Sequence, residues 1–313
     1  MDINRLRAHL PWITLLALVA IVGLAEPAFL RPANLLSLAG DIVPLFIMAL
    51  GLTFAIYIGG IDLSCQSMAN MITVIASVYL AHLGAWVALL CVLVGFSLGT
   101  LSGFVTTRLY VPSFISTLAV GGICFSIAQW LSGNRAVTMD ATQRNETFGW
   151  MIGRTGIVPN ELFIAAALLL VCLFIERRTV LGRVLKAVGS GELAAAAAGI
   201  NVGRYKILAF AISGALAAVA GLLFSVKLSG GAPTIANGFL LPAIVAVLVG
   251  GTPLTGGVGG VLNTAIGTLI VAVIRASMLY FGVEATQQQM LFGIVLILAI
   301  ALTIDRSKLR TVK

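Results

Sequence analysis

The chain has 313 residues, 60% hydrophobic and only 10% charged, whereas a soluble domain carries about a quarter charged residues. The solvent for most of it is therefore lipid, and its formal charge of +8 sits in loops beside apolar segments rather than interleaved with aromatics, which excludes nucleic acid as a partner. Cys65, Cys91, Cys124 and Cys172 are scattered singly, so neither a disulfide framework nor a metal site is expected.

Apolar runs follow in chain order at Ala8 to Ala25, Ile42 to Ile58, Ser67 to Leu83, Ala85 to Thr106, Val111 to Leu131, Leu162 to Ile175, Ile207 to Leu228, Phe239 to Val249, Val261 to Phe281 and Met290 to Ile304. The expected fold class is all-α, a polytopic transmembrane helical bundle of about ten spans, forming one permease domain over 1–313. Arg5 and Arg7 before the first run mimic a signal peptide. Without a small-residue cleavage site, and with Glu26-Pro27 closing the run, it reads as a retained span. The runs Leu162 to Ile175 and Phe239 to Val249 are shorter than the ~20 residues of a full crossing, so either is expected to be re-entrant or broken at membrane depth.

Two long polar connections stand out, 132–161 and 176–206. With all ten runs crossing and the N-terminus cytoplasmic, the inner segments hold Arg5, Arg7, Arg108, Arg177, Arg178, Arg183, Lys186, Arg204, Lys206, Arg306, Lys308, Arg310 and Lys313, which are 13 of the 19 basic residues. The bias of basic residues to the cytoplasm thus puts both termini and 176–206 inside, and 132–161 outside. The Ala-rich stretch after Glu192 predicts a short cytoplasmic helix ending at Gly199, with Gly189 and Gly191 breaking the preceding chain.

Residues Ile56 to Ser64 and Val247 to Thr255 form a weak internal echo, each a Gly-Gly pair after an apolar run. Paired interruptions of this kind mark discontinuous helices beside a solute path, and ordinary glycine-rich turns remain the other reading. Gly59, Gly60, Asp62, Ser64, Gln66, Gly250, Gly251 and Thr252 are the candidate path residues, Asp62 being either a solute contact or a structural group at a helix break. Gly95, Gly99 and Gly103 share one helix face, and packing within the subunit is favoured over a subunit interface.

No Gly-Lys pair exists, so no P-loop does, and ATP chemistry has to come from another protein. Gly189 to Ala194 satisfies G-x-G-x-x-A but lacks the strand and helix that give that pattern meaning. No cofactor is expected. His9 and His82 stand alone, and neither a nucleophile elbow nor an H-E-x-x-H helix occurs.

Leu181 to Gly189, followed by Glu192-Leu193-Ala194 and Gly199-Ile200, resembles the cytoplasmic coupling loop of permeases in ribose-type ATP-binding-cassette importers. Gly59 to Ser64, Val111 to Leu118 and Gly250 to Gly257 resemble that family's other blocks, in its order. Cys65-Gln66 and Phe239 to Ala243 depart from the pattern, which carries Val-Gly at the first place and acidic residues at the second. The resemblance implies a membrane subunit of the bacterial cytoplasmic membrane for a monosaccharide or related polyol, itself not an enzyme. Its partners would be a second permease subunit, cytoplasmic ATPase subunits, an extracytoplasmic solute-binding protein and membrane lipid, with Arg183, Glu192, Leu193, Ala194 and Gly199 coupling to the ATPase. The competing classes are an ion- or proton-coupled secondary carrier with Asp41 or Asp62 as relay, and an intramembrane enzyme.

Overall fold

A computed structural model describes residues 3–303, with side chains from Pro11 onward apart from 285–286 and the last two. The basic residues Arg306, Lys308, Arg310 and Lys313 counted above lie outside the described residues, as do the side chains of Arg5, Arg7 and His9. In chain order the helices are α1 (Ile3–Ala25), a 3-10 turn (Pro27–Leu30), α2 (Pro32–Asp41), α3 (Val43–Tyr57), α4 (Cys65–Leu83), α5 (Trp86–Arg108), α6 (Ser113–Ser132) and α7 (Ala141–Ile152). They continue as α8 (Glu161–Arg178), α9 (Val180–Ser190), α10 (Glu192–Ala197), α11 (Val202–Leu228), α12 (Leu240–Val249), α13 (Val261–Tyr280) and α14 (Ala285–Thr303). Four two-residue strands, β1 (Val137–Thr138), β2 (Arg154–Thr155), β3 (Val158–Pro159) and β4 (Gly230–Gly231), pair antiparallel as β1 with β4 and β2 with β3.

The fold is helical, as composition requires. Each of the ten apolar runs falls on a helix, yet by length and composition only α5, α6, α11 and α13 qualify as membrane spans among the described residues. The pair α2 and α3, bent by 47°, would make a fifth. The bend sits where Pro44 opens α3, because proline has no N–H to continue a helix from α2. All fifteen residues of α3 are buried, the mark of a helix enclosed by protein on every side. It is flanked by α11, α12, α13 and α8.

The second organising contact is α5 against α11. Gly95, Gly99 and Gly103 recur every four residues and so share a face, and a Cβ on any of them would run into the α11 backbone at Gly214, Phe210 or Ile207. The stripe is thus an internal packing surface, where missing side chains let two backbones approach closely. Beyond Ser132 the expected polar loop has structure of its own: α7, the β2–β3 hairpin, and β1, which ties the loop to the chain leaving α11. The 176–206 connection likewise holds two helices, α9 and α10, where one was expected.

Replacing Gly99 by Leu should lower the melting temperature and the monodisperse yield of detergent-solubilised protein, since forcing volume into a tight contact costs about 1–3 kcal/mol or more. Gly122→Ala, which meets nothing within 4 Å, serves as the control. Equal melting of the two variants would show that the α5–α11 approach is not needed for stability.

Candidate functional site

Two glycine pairs interrupt the helices inside the bundle, Gly59-Gly60 after α3 and Gly250-Gly251 after α12. At the first, Gly59 with φ +70° turns the chain out of α3, a conformation that costs glycine little. The Gly59 and Gly60 amides close the helix by donating to the Ile56 and Ala55 carbonyls. The chain then runs without helix to Cys65, and side chains take over its hydrogen bonds. The Ile61 N–H donates to Ser113 Oγ and the Leu63 N–H to Thr117 Oγ1, each at 3.1 Å. Asp62 is 1% exposed. Its Oδ1 accepts from the Ser64 amide (2.9 Å) and hydroxyl (2.5 Å), and its Oδ2 from the Ser213 hydroxyl at 2.6 Å. This carboxylate, at the start of α4 where negative charge suits the helix dipole, ties α4 to α11. Both of its oxygens are engaged within the protein, as is the Ser64 hydroxyl.

Ahead of the second, the chain leaves β4 and runs beside α4 into α12. Thr73, Asn70 and Gln66 present one face of α4 to it. The Ala232 N–H donates to Thr73 Oγ1 (3.2 Å), the Ala236 N–H to Asn70 Oδ1 (2.6 Å), and the Gly238 and Leu240 amides to Gln66 Oε1 at 3.2 and 3.3 Å. Asn70 Nδ2 and Gln66 Nε2 in turn donate to Asn237 Oδ1. The two departures from the family pattern noted in the sequence, at 65–66 and 239–243, therefore touch. Helix α12, with ten residues, is about 15 Å long, half of a ~30 Å hydrocarbon layer. It ends at Gly250, packed on the Asn263 backbone, and at Gly251 with φ +98°. Thr252 is fully buried and its hydroxyl has no hydrogen-bond partner among the described residues.

At the far end of both breaks α9 clasps them together. Gly189 packs on the Tyr57 carbonyl and the Gly257 amide with no room for a Cβ, while the Gly257 N–H donates to Tyr57 O at 2.9 Å. Beside this contact Glu176, 6% exposed at its side chain, pairs with Lys186 at 2.6 Å. The same carboxylate accepts from the Tyr57 hydroxyl (3.0 Å) and the Val261 N–H (3.0 Å), and Lys186 also donates to Gly259 O at 2.9 Å. One buried carboxylate thus joins α3, α8, α9 and the start of α13. The sequence predicts that Gly189 breaks the chain, but it lies within α9, where its missing side chain is needed for this approach. Gly191 alone separates α9 from α10.

Helix α10 follows as expected, with Gly199 at φ +81° and the Gly199 and Ile200 amides closing on the Ala196 and Ala195 carbonyls. Leu193 is 88% exposed, Ala194 and Arg183 are exposed, and Ala195 is buried. Glu192 pairs with Lys206 at 2.6 Å. The sequence-predicted residues therefore fall in separate surroundings: Gly59 meets Thr255 and Gly256, Asp62 meets α11, Ser64 meets Asp62 and α6, Gln66 meets the descending chain, and Thr252 packs on Gly259. Sequence reasoning missed Glu176, Asn70 and Asn237. The one available signal was an acid at the end of an apolar run, ten residues before a lysine.

At the opposite end Lys227 lies between Glu161 (2.9 Å) and Asp41 (3.2 Å) and donates to Gly40 O at 3.1 Å. A cavity of about 650 Å³ opens beside it. Among the described residues no cluster of His, Cys, Asp or Glu is placed to hold a metal.

Residues 34–300 match the model of a family described as the branched-chain amino acid transport system / permease component. The chain belongs to this permease family. It is 33% identical over 291 residues to the ribose import permease protein RbsC of Escherichia coli (strain K12), covering 92% of this chain and 91% of that protein. It is 32% identical over 306 residues to the ribose import permease protein RbsC of Bacillus subtilis (strain 168), covering 95% and 92%. To the xylose transport system permease protein XylH of Escherichia coli (strain K12) it is 29% identical, covering 88% and 86%. No solved structure matches it. The resemblance carried by its sequence blocks is borne out, and the protein is a multi-pass membrane permease.

Glu176→Ala would leave the Tyr57 hydroxyl and the Val261 amide without their acceptor and Lys186 without its counter-charge, with only the Gly259 carbonyl left to it. Breaking a buried ion pair costs about 3–5 kcal/mol, less here because Lys186 is partly solvated. Trypsin should cut solubilised permease after Arg183 and Lys186 about tenfold faster than wild type or more, the change in open population that ~1.4 kcal/mol produces. Glu176→Gln, whose single amide oxygen can still accept from either the Val261 N–H or the Tyr57 hydroxyl, should fall between. Cleavage of Glu176→Ala at the wild-type rate would mean that α9 is held by its other contacts.

Proposed function

We propose that this chain is the membrane-spanning subunit of an ATP-binding-cassette importer that carries a monosaccharide or related polyol across the cytoplasmic membrane. The observation that carries the reading is the continuity from α10 to the two glycine-pair breaks. An exposed short helix with a protruding Leu193 is joined through α9 to Tyr57, Gly257 and Glu176. A shift of that helix reaches both breaks as a rigid-body displacement. The names of the curated relatives, ribose and xylose permeases, support the substrate class and outweigh the amino acids named in the family description.

In this reading the chain is one permease domain of ten membrane segments, the shorter ones broken or re-entrant, with both termini and 176–206 in the cytoplasm and 132–161 outside. It works with a second permease subunit, two cytoplasmic ATPase subunits that hydrolyse ATP, and an extracytoplasmic binding protein. Arg183, Glu192, Leu193, Ala194 and Gly199 form or frame the ATPase contact. The breaks at Gly59-Gly60 and Gly250-Gly251 border the solute path, Asp62 and Ser64 maintain the first, Thr252 follows the second, and Gln66 braces the chain that enters α12. A secondary carrier relaying protons through Asp62 is disfavoured by the engagement of both carboxylate oxygens.

Leu193→Asp should leave the protein in the membrane and abolish copurification of its ATPase, since an exposed anchor residue at an interface is worth about 2 kcal/mol or more. Ala195 is unsuited to this test, being buried against its own chain. Retained copurification would remove α10 from the interface. In sealed cells a membrane-impermeant maleimide should label Asn145→Cys and spare Leu193→Cys, and the opposite pattern would invert the topology.

A further inference from the structure

A cavity lies away from the two glycine pairs, at the Lys227 end, between α2, the end of α11, the start of α12 and the end of α13, and takes in Asp41 and Phe239. Its polar groups form an unusual set. Lys227 is already committed to two carboxylates, Glu161 and Asp41. The Arg275 guanidinium lies over the Phe239 ring at 4.4 Å, and among the described residues it has no hydrogen-bond acceptor. Of the others lining the cavity, Asn34 uses only its NH₂ group, toward Ala28 O. Asp41 uses only Oδ1, and the Ser37 hydroxyl makes no hydrogen bond among the described residues.

We propose that this cavity is a solute subsite for a neutral polyhydroxylated molecule of monosaccharide size, entered at the side of the membrane that α7 faces. The substrate class rests on the sugar-importer reading above. The argument is one of donor and acceptor balance. The uncommitted groups are a forked donor on Arg275, acceptors on Asp41 Oδ2 and Asn34 Oδ1, and a hydroxyl on Ser37 that does both. An anion would pair with Arg275 but sit against Asp41, and a cation would meet the converse. A sugar hydroxyl donates and accepts at once and satisfies both kinds of group without bringing in a charge. The formal charges of Lys227, Arg275, Asp41 and Glu161 cancel, so a neutral molecule covers the site without leaving an uncompensated charge beneath it. The volume of about 650 Å³ lies in the range of small-molecule sites, which are largely apolar with a few placed polar groups. The position of the guanidinium over the Phe239 ring also restricts where its donors can point before the solute arrives.

The test uses the complete importer in intact cells, with D-ribose and D-xylose as probes, two pentoses that differ in the configuration of one hydroxyl. Uptake of each is measured in wild type, Arg275→Gln and Ser37→Ala at equal membrane abundance. Arg275→Gln should reduce uptake of both about tenfold, the effect of one unmatched hydrogen-bonding group. Ser37→Ala should change the ribose-to-xylose ratio by roughly threefold or more, which a merely structural defect would not do, since it lowers both rates alike and the binding protein is the same in every strain. Wild-type uptake with a ratio unchanged in Ser37→Ala, or a rate unchanged in Arg275→Gln, overturns the subsite and leaves the importer reading standing. Wild-type cells that take up neither pentose, yet retain copurification of the ATPase, overturn the sugar class and the subsite with it.

Discussion

In hydrocarbon a backbone N–H or C=O has no water as an alternative partner, and leaving one unpaired costs several kcal/mol. Every departure from helix in this bundle therefore needs its own supply of donors and acceptors. The stretch from Gly59 to Ser64 draws on Ser113, Thr117, Asp62 and Ser213. The descent from Ala232 to Leu240 draws on Thr73, Asn70 and Gln66. These polar side chains are unusual in such an apolar protein, and each has an unwound backbone or another polar group as its partner. Asp62 looks like a solute contact when viewed as an isolated intramembrane acid. In its surroundings it does the work of a missing helical turn.

The same economy governs the end that α9 occupies. Glycines at 189, 256 and 257 let α9 and the two glycine-rich segments meet backbone to backbone around the Tyr57 carbonyl. Glu176 gathers a hydroxyl, an ammonium and an amide from three different parts of the chain onto one carboxylate. A buried charge of this kind contributes little net stability, because desolvation offsets most of the attraction. Its consequence is geometric: α9 cannot move relative to Tyr57 and Val261 without exposing an unpaired carboxylate. Packed interfaces of this sort switch between arrangements rather than deform gradually, which suits a part that transmits motion.

The two ends of the bundle are built from different materials. At the Lys227 end charges meet across the chain, Asp41 and Glu161 around one lysine and Arg275 over an aromatic ring, and polar valences remain unused. Around Lys186 the valences are closed and the contact is made by backbone. That contrast separates an end with unused polar valences beside a cavity from an end closed by backbone contacts.

Much of this was legible in the amino-acid sequence. Apolar runs specified the helices because hydrocarbon accepts few other structures, the Gly-Gly pairs located both breaks, and the Gly-x-x-x-Gly stripe announced an internal contact. The helix after Glu192 and its end at Gly199 followed from local propensity and capping, which depend on neighbours in the chain. What the sequence left open concerns partners distant in the chain. Nothing local distinguishes a carboxylate that will bind solute from one that will accept from Ser213, 151 residues away. Nothing local tells Gly189 that it must lie under Tyr57, or Arg275 that it will find Phe239. Such pairings depend on how helices pack, which is set by the fit of whole faces, so only the tertiary structure decided them.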